Sequence, residues 1–382
     1  MVYSETNLVY AENIAKTSRP YRNFLRPLHN PTTKLDYVYW FRKFIEWAVD
    51  TKVISSHDDF EPLLKMTSDE ITDLLLDWID SEKEKGNKGS TIASKICAAE
   101  TFFEMNRKIW HNKLVRRSIP SDETEPSGKL PITDKELQVM LSLTNDLRNI
   151  ALIHFFASTG IRPYAIQDPI LRLKHLVKMD YGNSYCYGIR VYDESKDGYW
   201  SFLTPEATQC LDRYLNSRDS LNSESPIFIT KQARKRKFEH MTDITVRGIL
   251  NPLVKKSVKR NKSGKNRYDK AIIYMFRKRF NGKLKMKNSV NSNIAEKLMA
   301  HKRGLDGTYL QPTREECFAE FIKAIPELTI SDNERIKLEN MKLKEEKSEN
   351  ESLREKLNTL QEDLDKVKQW REITSKYEMI KN

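Results

Sequence analysis

Residues 149–164 read NIALIHFFASTGIRPY. This stretch contains an apolar run, a glycine that can end a helix, and an arginine. The run from Ile150 to Ala157 is almost entirely apolar, which predicts a helix inside a protein core. Gly160 is a typical helix terminator, because glycine readily adopts the left-handed backbone conformation that ends many helices. Arg162 follows two residues later, so the sequence places a guanidinium just beyond the end of a core helix.

The residues that follow predict a small β element among helices. The runs YCYGIRVY (185–192) and YWSFLT (199–204) are rich in β-forming residues, and DESKDG (193–198) between them predicts a hairpin turn that carries Lys196. The next run, TPEATQCLDRYLNSR, returns to a helical pattern, and AIIYMFRKRFNGKLKM (271–286) predicts a later helix. The predicted fold is therefore mainly α, with a small β-sheet or hairpin.

The N-terminal third divides at its prolines and linkers. Residues 1–31 are polar and interrupted by proline, which predicts a flexible arm. Residues 32–117 hold amphipathic segments, one of them capped by Ser68 and stopped at Gly86, and they predict a small all-α domain. The Ser/Pro/Glu-rich stretch 118–130 predicts a linker, and a second domain is expected over 131–328.

The start of the second domain and the end of the chain carry clear helical signals. Thr133 with Glu136 three residues later is a capping-box pattern. In the tail, 329–382, Ile336, Leu343, Asn350, Leu357 and Leu364 recur every seven residues, and Leu353, Leu360 and Val367 fill the companion position, which predicts a coiled coil. Glu339 and Glu346 interrupt the companion stripe, so a solvated single helix that packs on its own domain is the alternative.

The charge distribution favours a polyanionic partner. The chain of 382 residues has a formal net charge of +12, and residues 231–287 contain 20 Lys and Arg against three acids. Such a patch suits nucleic acid first and an anionic membrane second. A solvated basic loop is the alternative. The candidate DNA contacts are Arg234, Lys235, Arg236, Lys237, Lys278 and Arg279.

Several classes of protein are disfavoured by composition. The four cysteines lie far apart with no CxxC pair, which argues against a disulfide framework and a zinc site. The first residues lack the apolar centre of a signal peptide, and no run approaches the ~20 apolar residues of a membrane span. We expect an intracellular protein with no membrane partner, no metal and no cofactor.

Six side chains suggest a chemistry when they are taken together. They are Arg162, Lys196, Tyr274, Arg277, His301 and Tyr309. Each alone has an ordinary interpretation as surface charge or packing. As a set they suit cleavage of a phosphodiester without metal: guanidiniums bind the phosphate oxygens bidentately, a phenol can attack phosphorus, and an imidazole and an amine can move protons.

The order of these residues resembles the catalytic domain of tyrosine recombinases, also called phage-type integrases. STGIRP resembles the first arginine box of that family, YMFRKRF its H-x-x-R box, and LMAHKRGLDGTYLQPT its closing box. The resemblance covers about residues 130–325, and LDGTY is similar to integrases of archaeal mobile elements. The helical domain at 32–117 resembles the family's core-binding (SAM-like) domain more loosely.

The resemblance implies a role for each residue. Arg162 and Arg277 would hold the scissile phosphate, Lys196 would protonate the 5′-hydroxyl leaving group, His301 would assist at the phosphate, and Tyr309 would form a 3′-phosphotyrosyl bond. The implied protein is a site-specific recombinase that acts on double-stranded DNA attachment sites as a tetramer, gripping DNA between its two domains, in the cytoplasm at the nucleoid.

Three positions depart from the family pattern. Tyr274 stands where the family most often has histidine, Ala165 where an acidic residue often orients the first arginine, and Ala300 where glycine commonly precedes the histidine. The alternative hypothesis is therefore a non-catalytic DNA-binding regulator that kept the fold and self-associates through its tail. A type IB topoisomerase relative is a more remote alternative.

Overall fold

The computed structural model describes residues 5–121, 128–230, 239–264, 267–286, 290–301 and 311–381. The chain divides into two compact units, Met1–Glu125 and Pro126–Asn382. The boundary between them falls within the predicted linker, 118–130. Each unit has its own hydrophobic core and is described by itself.

The described part of the N-terminal unit is helical. Its helices are α1 (Glu5–Thr17), α2 (Arg19–Leu25), α3 (Pro31–Asp50), α4 (Glu61–Lys65), α5 (Ser68–Glu84), α6 (Gly89–Met105) and α7 (Asn112–Ser118). The core is largely aromatic: the Phe41 ring lies 4.6 Å from the Phe24 ring and 4.6 Å from the Phe102 ring between centroids, and Trp78 is fully buried beside Phe44. Fully buried aromatic rings of this size dominate the stability of a small helical core.

The predicted flexible arm over residues 1–31 is wrong. Helices α1 and α2 occupy most of it, and Ala11, Ile14, Tyr21 and Phe24 are buried in the same core as α3. Proline in this segment does not mark a loop. Pro20 lies in the first turn of α2, where a proline begins a helix instead of breaking one. A smaller correction concerns α5, whose capping box is formed by Thr67 with Glu70 and not by Ser68.

The second unit combines helices with two small antiparallel sheets. Its helices are α8 (Asp134–Ser142), α9 (Leu147–Thr159), α10 (Pro205–Asn216), α11 (Asp243–Ser257), α12 (Tyr274–Lys285), α13 (Ser292–Leu298), α14 (Arg314–Ile322), α15 (Ile325–Leu328) and α16 (Asp332–Lys381), with 3-10 turns at Pro163–Ile166 and Leu173–His175. The strands are β1 (Leu176–Tyr181), β2 (Ser184–Val191), β3 (Tyr199–Phe202), β4 (Lys262–Gly264) and β5 (Arg267–Tyr268). The prediction of a mainly α fold with a small sheet is confirmed.

The larger sheet has the order β1-β2-β3, with both pairs antiparallel. The predicted hairpin is the β2–β3 pair, in which Gly188 faces Phe202 and Val191 faces Tyr199. Sequence analysis missed β1, because Met179 is its only buried residue and the rest of the strand is partly or fully exposed. All four cysteines of the chain are free thiols.

Helix α9 is the central element of the second unit. Every residue from Ala151 to Thr159 is buried, and the Phe155 ring lies 5.2 Å from the Phe228 ring between centroids. Asp146 caps the N-terminus of the helix, since its side chain accepts a hydrogen bond from the Arg148 backbone N–H, and Gly160 caps the C-terminus with φ of 57°. The predicted core helix and its glycine stop are therefore confirmed.

The tail is a single long helix, α16, whose first turns are anchored on the second unit. Arg335 donates to the Thr329 carbonyl at 3.0 Å and to the Asp134 carboxylate at 3.4 Å, and Leu338 packs on the cluster around Phe321. Farther along, Leu357 and Leu364 are 59% and 55% exposed. The heptad stripe is thus on a continuous helix, as predicted, while its pairing with another helix stays a prediction.

Gly160 provides a direct test of how the end of α9 is held. A Cβ atom at this position would lie 2.7 Å from the Phe280 Cβ, and φ of 57° disfavours any L side chain. We expect Gly160→Ala to lower the free energy of unfolding by about 3 kcal/mol through strain and overpacking. Chemical denaturation measures this. Gly182→Ala is the matched control, because Gly182 has φ of 55° with no atom within 4 Å of the added Cβ, and its loss should be about 1 kcal/mol.

Candidate active site

Arg162 is placed by the way α9 ends. Gly160 turns the chain out of the helix, Ile161 is buried in the core, and Arg162 then has extended backbone (φ −72°, ψ 143°) before Pro163 begins a 3-10 turn. The side chain of Arg162 is half-buried. Since Ile161 and Pro163 are buried on either side, the arginine side chain is held at the surface of a rigid core.

Arg277 joins three separate segments of the chain. It is 7% exposed on α12, and its Nη1 donates to the Gly160 carbonyl at 2.8 Å. Its Nη2 donates to the Met299 carbonyl and lies 2.9 Å from the His301 Nε2 atom. The guanidinium therefore links the end of α9, the helix α12 and the residues after α13.

His301 is positioned by the way α13 ends. The Ala300 N–H donates to the Lys297 carbonyl and the His301 N–H donates to the Glu296 carbonyl, both at 2.9 Å, which is the Schellman pattern. Ala300 has φ of 53°, a conformation that glycine adopts without strain, and this accounts for the glycine that the family commonly has there. The turn brings the His301 imidazole back over Glu296.

The contacts of His301 define the position of its proton. The Nδ1 atom lies 2.6 Å from the Glu296 Oε2 atom, and an ionised carboxylate can only accept, so Nδ1 carries the hydrogen. The Nε2 atom faces an Arg277 N–H at 2.9 Å, so it presents its lone pair. A neutral imidazole with its proton on Nδ1 satisfies both contacts, with the single lone pair of Nε2 directed at the Arg277 N–H.

Glu296 is held in its ionised form by its neighbours. Burial would raise the pKa of this carboxyl, but the hydrogen bonds from Lys285 and His301 outweigh it, so the pKa lies below its ordinary value. Lys285 binds one carboxylate oxygen while His301 binds the other. Sequence analysis missed Glu296, since a glutamate on a short helix has no distinguishing signal until the Schellman turn brings it to the imidazole.

Lys196 lies in the β2–β3 turn, which contains unusual backbone conformations. Tyr192 and Glu194 have φ of 53° and 61°, and the Gly198 N–H donates to the Ser195 carbonyl at 2.9 Å. Lys196 itself is exposed. Non-glycine residues with positive φ are uncommon and concentrate at functional sites, which is consistent with a turn shaped to present its lysine.

A cavity of about 560 Å³ brings the predicted residues together. Arg162, Lys196 and His301 line it, and Arg277 adjoins it through its contact with His301. Tyr274 is 46% exposed on the first turn of α12, one turn before Arg277. Tyr309 lies outside the described residues, whereas Gln311, two residues later in the chain, lines the same cavity.

The electrostatics of this cavity favour an anion. Burial lowers the pKa of the Arg277 guanidinium, and the positive charge of Arg162 lowers it further, so the two guanidiniums repel each other. Tyr192, which sequence analysis missed, lies near both: burial raises the pKa of its phenol while the charges of Arg162 and Arg277 act to lower it. An anion bound between these groups would relieve the repulsion.

A second cationic group was also missed. The guanidiniums of Arg190 and Arg314 each lie 5.5 Å from the centre of the Trp200 ring, and Arg190 and Trp200 line the cavity. Arg190 and Trp200 are cross-strand partners on β2 and β3, whereas Arg314 belongs to α14. Their association depends on tertiary packing, so spacing in the sequence could not reveal it.

The predicted DNA contacts divide into three groups. Residues 234–237 lie outside the described residues. Lys278 is half-buried on α12. Arg279 is 2% exposed, and its guanidinium donates to the Asp134 carboxylate and to the Ala157 and Leu328 carbonyls. These partners occupy the side chain inside the protein, so the prediction that Arg279 contacts DNA is wrong, and its role is structural.

Among the described residues, every helix is too short or too polar to span a membrane. The same residues hold no cluster of three or more His, Cys, Asp or Glu side chains placed to bind a metal ion.

The structure is similar to several solved DNA-bound recombinases and integrases. A structure of the Tn1549 transposon integrase in complex with transposon right end DNA aligns over 81% of this chain and 98% of that chain, with a TM-score of 0.52 and 18% identity. XerH recombinase bound to a palindromic difH substrate aligns over 75% and 78%, with a TM-score of 0.49 and 15% identity. A lambda integrase dimer bound to a COC′ core site aligns over 81% and 96%, with a TM-score of 0.48 and 14% identity.

This is the tyrosine-recombinase fold. The likeness to the Tn1549 integrase extends over most of both chains. No protein-family model and no curated protein matches the sequence. The fold class expected from the boxes around Arg162, Arg277 and His301 is thereby confirmed at the level of architecture.

The contact between Glu296 and His301 predicts a pH-dependent contribution to stability. We expect Glu296→Gln to lower the free energy of unfolding by about 2 kcal/mol at neutral pH, because two charge-assisted hydrogen bonds are weakened. The pKa of Glu296 in the folded protein lies below its ordinary value of 4.5, so this contribution is complete above about pH 4.5 and is lost as the pH falls through the folded-state value.

Urea denaturation of the wild type and of Glu296→Gln, at neutral and at acidic pH, measures the difference in their free energies of unfolding. Glu362→Gln on the exposed part of α16 is the control and should change stability little at either pH. An equal loss for Glu296→Gln at pH 7 and well below pH 4 would contradict the assigned ion pair.

Proposed function

We propose that this protein is a site-specific DNA recombinase or integrase that cleaves and rejoins DNA strands without a metal ion, through a covalent 3′-phosphotyrosyl bond at Tyr309. The main support is the cavity that brings Arg162, Lys196 and His301 together beside the buried Arg277, within the tyrosine-recombinase fold. The substrate in this proposal is double-stranded DNA at attachment sites, and the Tn1549 integrase of similar fold was solved in complex with transposon right end DNA.

Arg162 and Arg277 bind the scissile phosphate in this proposal. Guanidiniums remain charged at any working pH and can donate two parallel hydrogen bonds to phosphate oxygens. Arg277 keeps its orientation because the Gly160 and Met299 carbonyls already hold it. Donors fixed before the reaction stabilise the charge that gathers on the phosphate in the transition state, and each contributes about 3–4 kcal/mol when it is removed from comparable sites.

The proton transfers follow from the contacts of the remaining residues. The Tyr309 oxygen attacks phosphorus, the bond from phosphorus to the 5′ oxygen breaks, and Lys196 gives a proton to the departing oxygen. When the phosphate takes over the Arg277 N–H that faces His301 Nε2, the freed lone pair of that nitrogen accepts the phenolic proton, and Glu296 stabilises the imidazolium that results. Rejoining is the reverse: a 5′-hydroxyl attacks the phosphotyrosyl bond and the protons return.

Binding and assembly complete the proposal. Basic residues of 231–287 that are not paired inside the protein contact the DNA backbone, so affinity falls steeply with salt. Within this basic segment, the candidate DNA contacts are Lys278 and residues 234–237. Four protomers assemble on two duplexes, self-association through the tail assists them, and the protein acts at the nucleoid on behalf of a mobile element of archaeal type.

Replacement of Tyr309 tests the covalent step. On a DNA substrate with a nick near the cleavage site, which traps the intermediate, the wild-type protein should form a covalent adduct in the presence of EDTA. Tyr309→Phe should form none, because it lacks the attacking oxygen. Denaturing gels detect the adduct. Tyr185→Phe is the matched control, since the Tyr185 hydroxyl bonds to Asp212 and should not affect cleavage.

An adduct formed by Tyr309→Phe, or an absolute requirement for a divalent metal, would rule out the proposed mechanism. Salt-dependent DNA binding by the wild type without any adduct on its cognate site would instead favour the non-catalytic regulator.

Replacement of Arg162 separates chemistry from binding. Arg162→Ala should lower the rate of adduct formation by at least about 100-fold, while DNA affinity at low salt changes by only a few fold, because one phosphate contact among many is lost. Gel shift and single-turnover cleavage measure the two effects. Arg247→Ala, in the basic segment but paired with Asp243, is the control and should leave cleavage of bound DNA unchanged. A normal cleavage rate for Arg162→Ala would contradict the phosphate clamp.

A further inference from the structure

The apolar stripe of α16 is exposed to solvent over its second half. The residues Leu353, Leu357, Leu360, Leu364 and Val367 are 58%, 59%, 69%, 55% and 62% exposed. They occupy alternating three- and four-residue spacings, so they lie along one face of the helix. Five large aliphatic side chains aligned on one helical face form a surface that a partner helix would cover.

Where the second unit is described, its contacts with α16 are made by the first turns of that helix, through Arg335 and Leu338. Residues 349–368 are exposed where their side chains are described. Glu349 lies eleven positions beyond Leu338, or about 16 Å along the helix at 1.5 Å per residue, so a partner can approach the stripe without meeting the folded unit.

The charges that flank the stripe identify the partner. In a parallel, in-register pair of helices, the residue before each first core position faces the residue five positions later on the other helix. This places Glu349 against Arg354 and Asp363 against Lys368, twice each by symmetry. Lys356 faces the neutral Gln361, so this segment matches a second copy of itself without a like-charge pair.

We propose that residues 349–368 of α16 form a parallel, in-register, two-stranded coiled coil with the same residues of a second copy of this chain. Asn350 then faces Asn350 of the second copy at a core layer, where the two amides can bond to each other. A buried asparagine pair of this kind fixes register and favours two strands. The inference deepens the self-association in the proposed function by specifying the partner, the strand direction and the register.

An antiparallel pair would bury the same leucines but mismatch the charges. With Leu357 facing Leu360 of the other copy, Glu349 would lie against Asp363 and Arg354 against Lys368. Asn350 would then face Val367, which leaves its amide without a polar partner at a core layer. The polar and charged residues therefore distinguish the two directions, although the apolar stripe alone does not.

Charge exchange on the full-length protein tests the pairing without DNA. The wild type should dimerise in analytical ultracentrifugation. Glu349→Lys/Asp363→Lys makes all four flanking positions positive, and Arg354→Glu/Lys368→Glu makes them all negative. Each double variant should dimerise roughly 100-fold more weakly, because four attractive pairs become repulsive. An equimolar mixture should restore a dimer that contains one copy of each, and circular dichroism checks that both variants stay folded.

Two results would overturn the pairing: a wild-type chain that stays monomeric at high concentration, or double variants that dimerise as well alone as in the mixture. The measurement contains no DNA and no cleavage step. Loss of the covalent adduct with an intact dimer would therefore reject the proposed function alone, and a monomeric chain that forms the adduct would reject the coiled coil alone.

Cross-linking tests the direction. Asn350→Cys should form a disulfide-linked dimer under mild oxidation in the parallel arrangement, since the two introduced thiols share one layer. In the antiparallel arrangement each would lie opposite Val367 and remain reduced. Thr359→Cys on the outward face and the wild type, with its four native thiols, are the controls and should not cross-link. Absence of cross-linking in a dimeric Asn350→Cys protein would exclude the parallel register.

Discussion

The buried guanidinium of Arg277 is the constraint on which the site depends. A charge that is 7% exposed requires partners, and Arg277 finds them in the Gly160 carbonyl, the Met299 carbonyl and the His301 imidazole. These three come from the ends of two helices that are far apart in sequence. Each helix must end at a particular residue for these groups to reach Arg277. The geometry of the cavity therefore depends on where α9 and α13 end.

Both helices are followed by a residue with positive φ, Gly160 after α9 and Ala300 after α13. Gly160 fits because a side chain there would collide with Phe280, whereas Ala300 tolerates the strain and adds a methyl group that packs on the core. The Schellman turn at Ala300 also brings Glu296 under His301. The Glu296 carboxylate, the His301 imidazole and the Arg277 guanidinium then contact one another in sequence, which fixes the orientation of the imidazole.

The charged side chains around these contacts have two different roles. Arg279, two residues after Arg277, is neutralised inside the protein by Asp134, which also binds Lys283 and Arg335. Burial would raise the pKa of Asp134, but Arg279 and Lys283 outweigh it and keep the carboxylate ionised. One acidic residue thus holds α8, α12 and the start of α16 together, while the Arg162 guanidinium lines the cavity.

The sequence alone determined the elements and most of the chemical groups. The apolar run of α9, the glycine at its end and the β2–β3 hairpin follow from local patterns of period and turn residues. The resemblance to a known family singled out Arg162, Lys196, Arg277 and His301. Tertiary structure decided which cationic side chains lie at the cavity and which are paired inside the protein. Arg277 and Arg279 look equivalent in YMFRKRF and differ only in their neighbours. Tertiary structure also decided that residues 5–25 are helical and that Glu296, Tyr192 and Trp200 belong near the site. Contacts between distant segments control these outcomes, and no local signal encodes them.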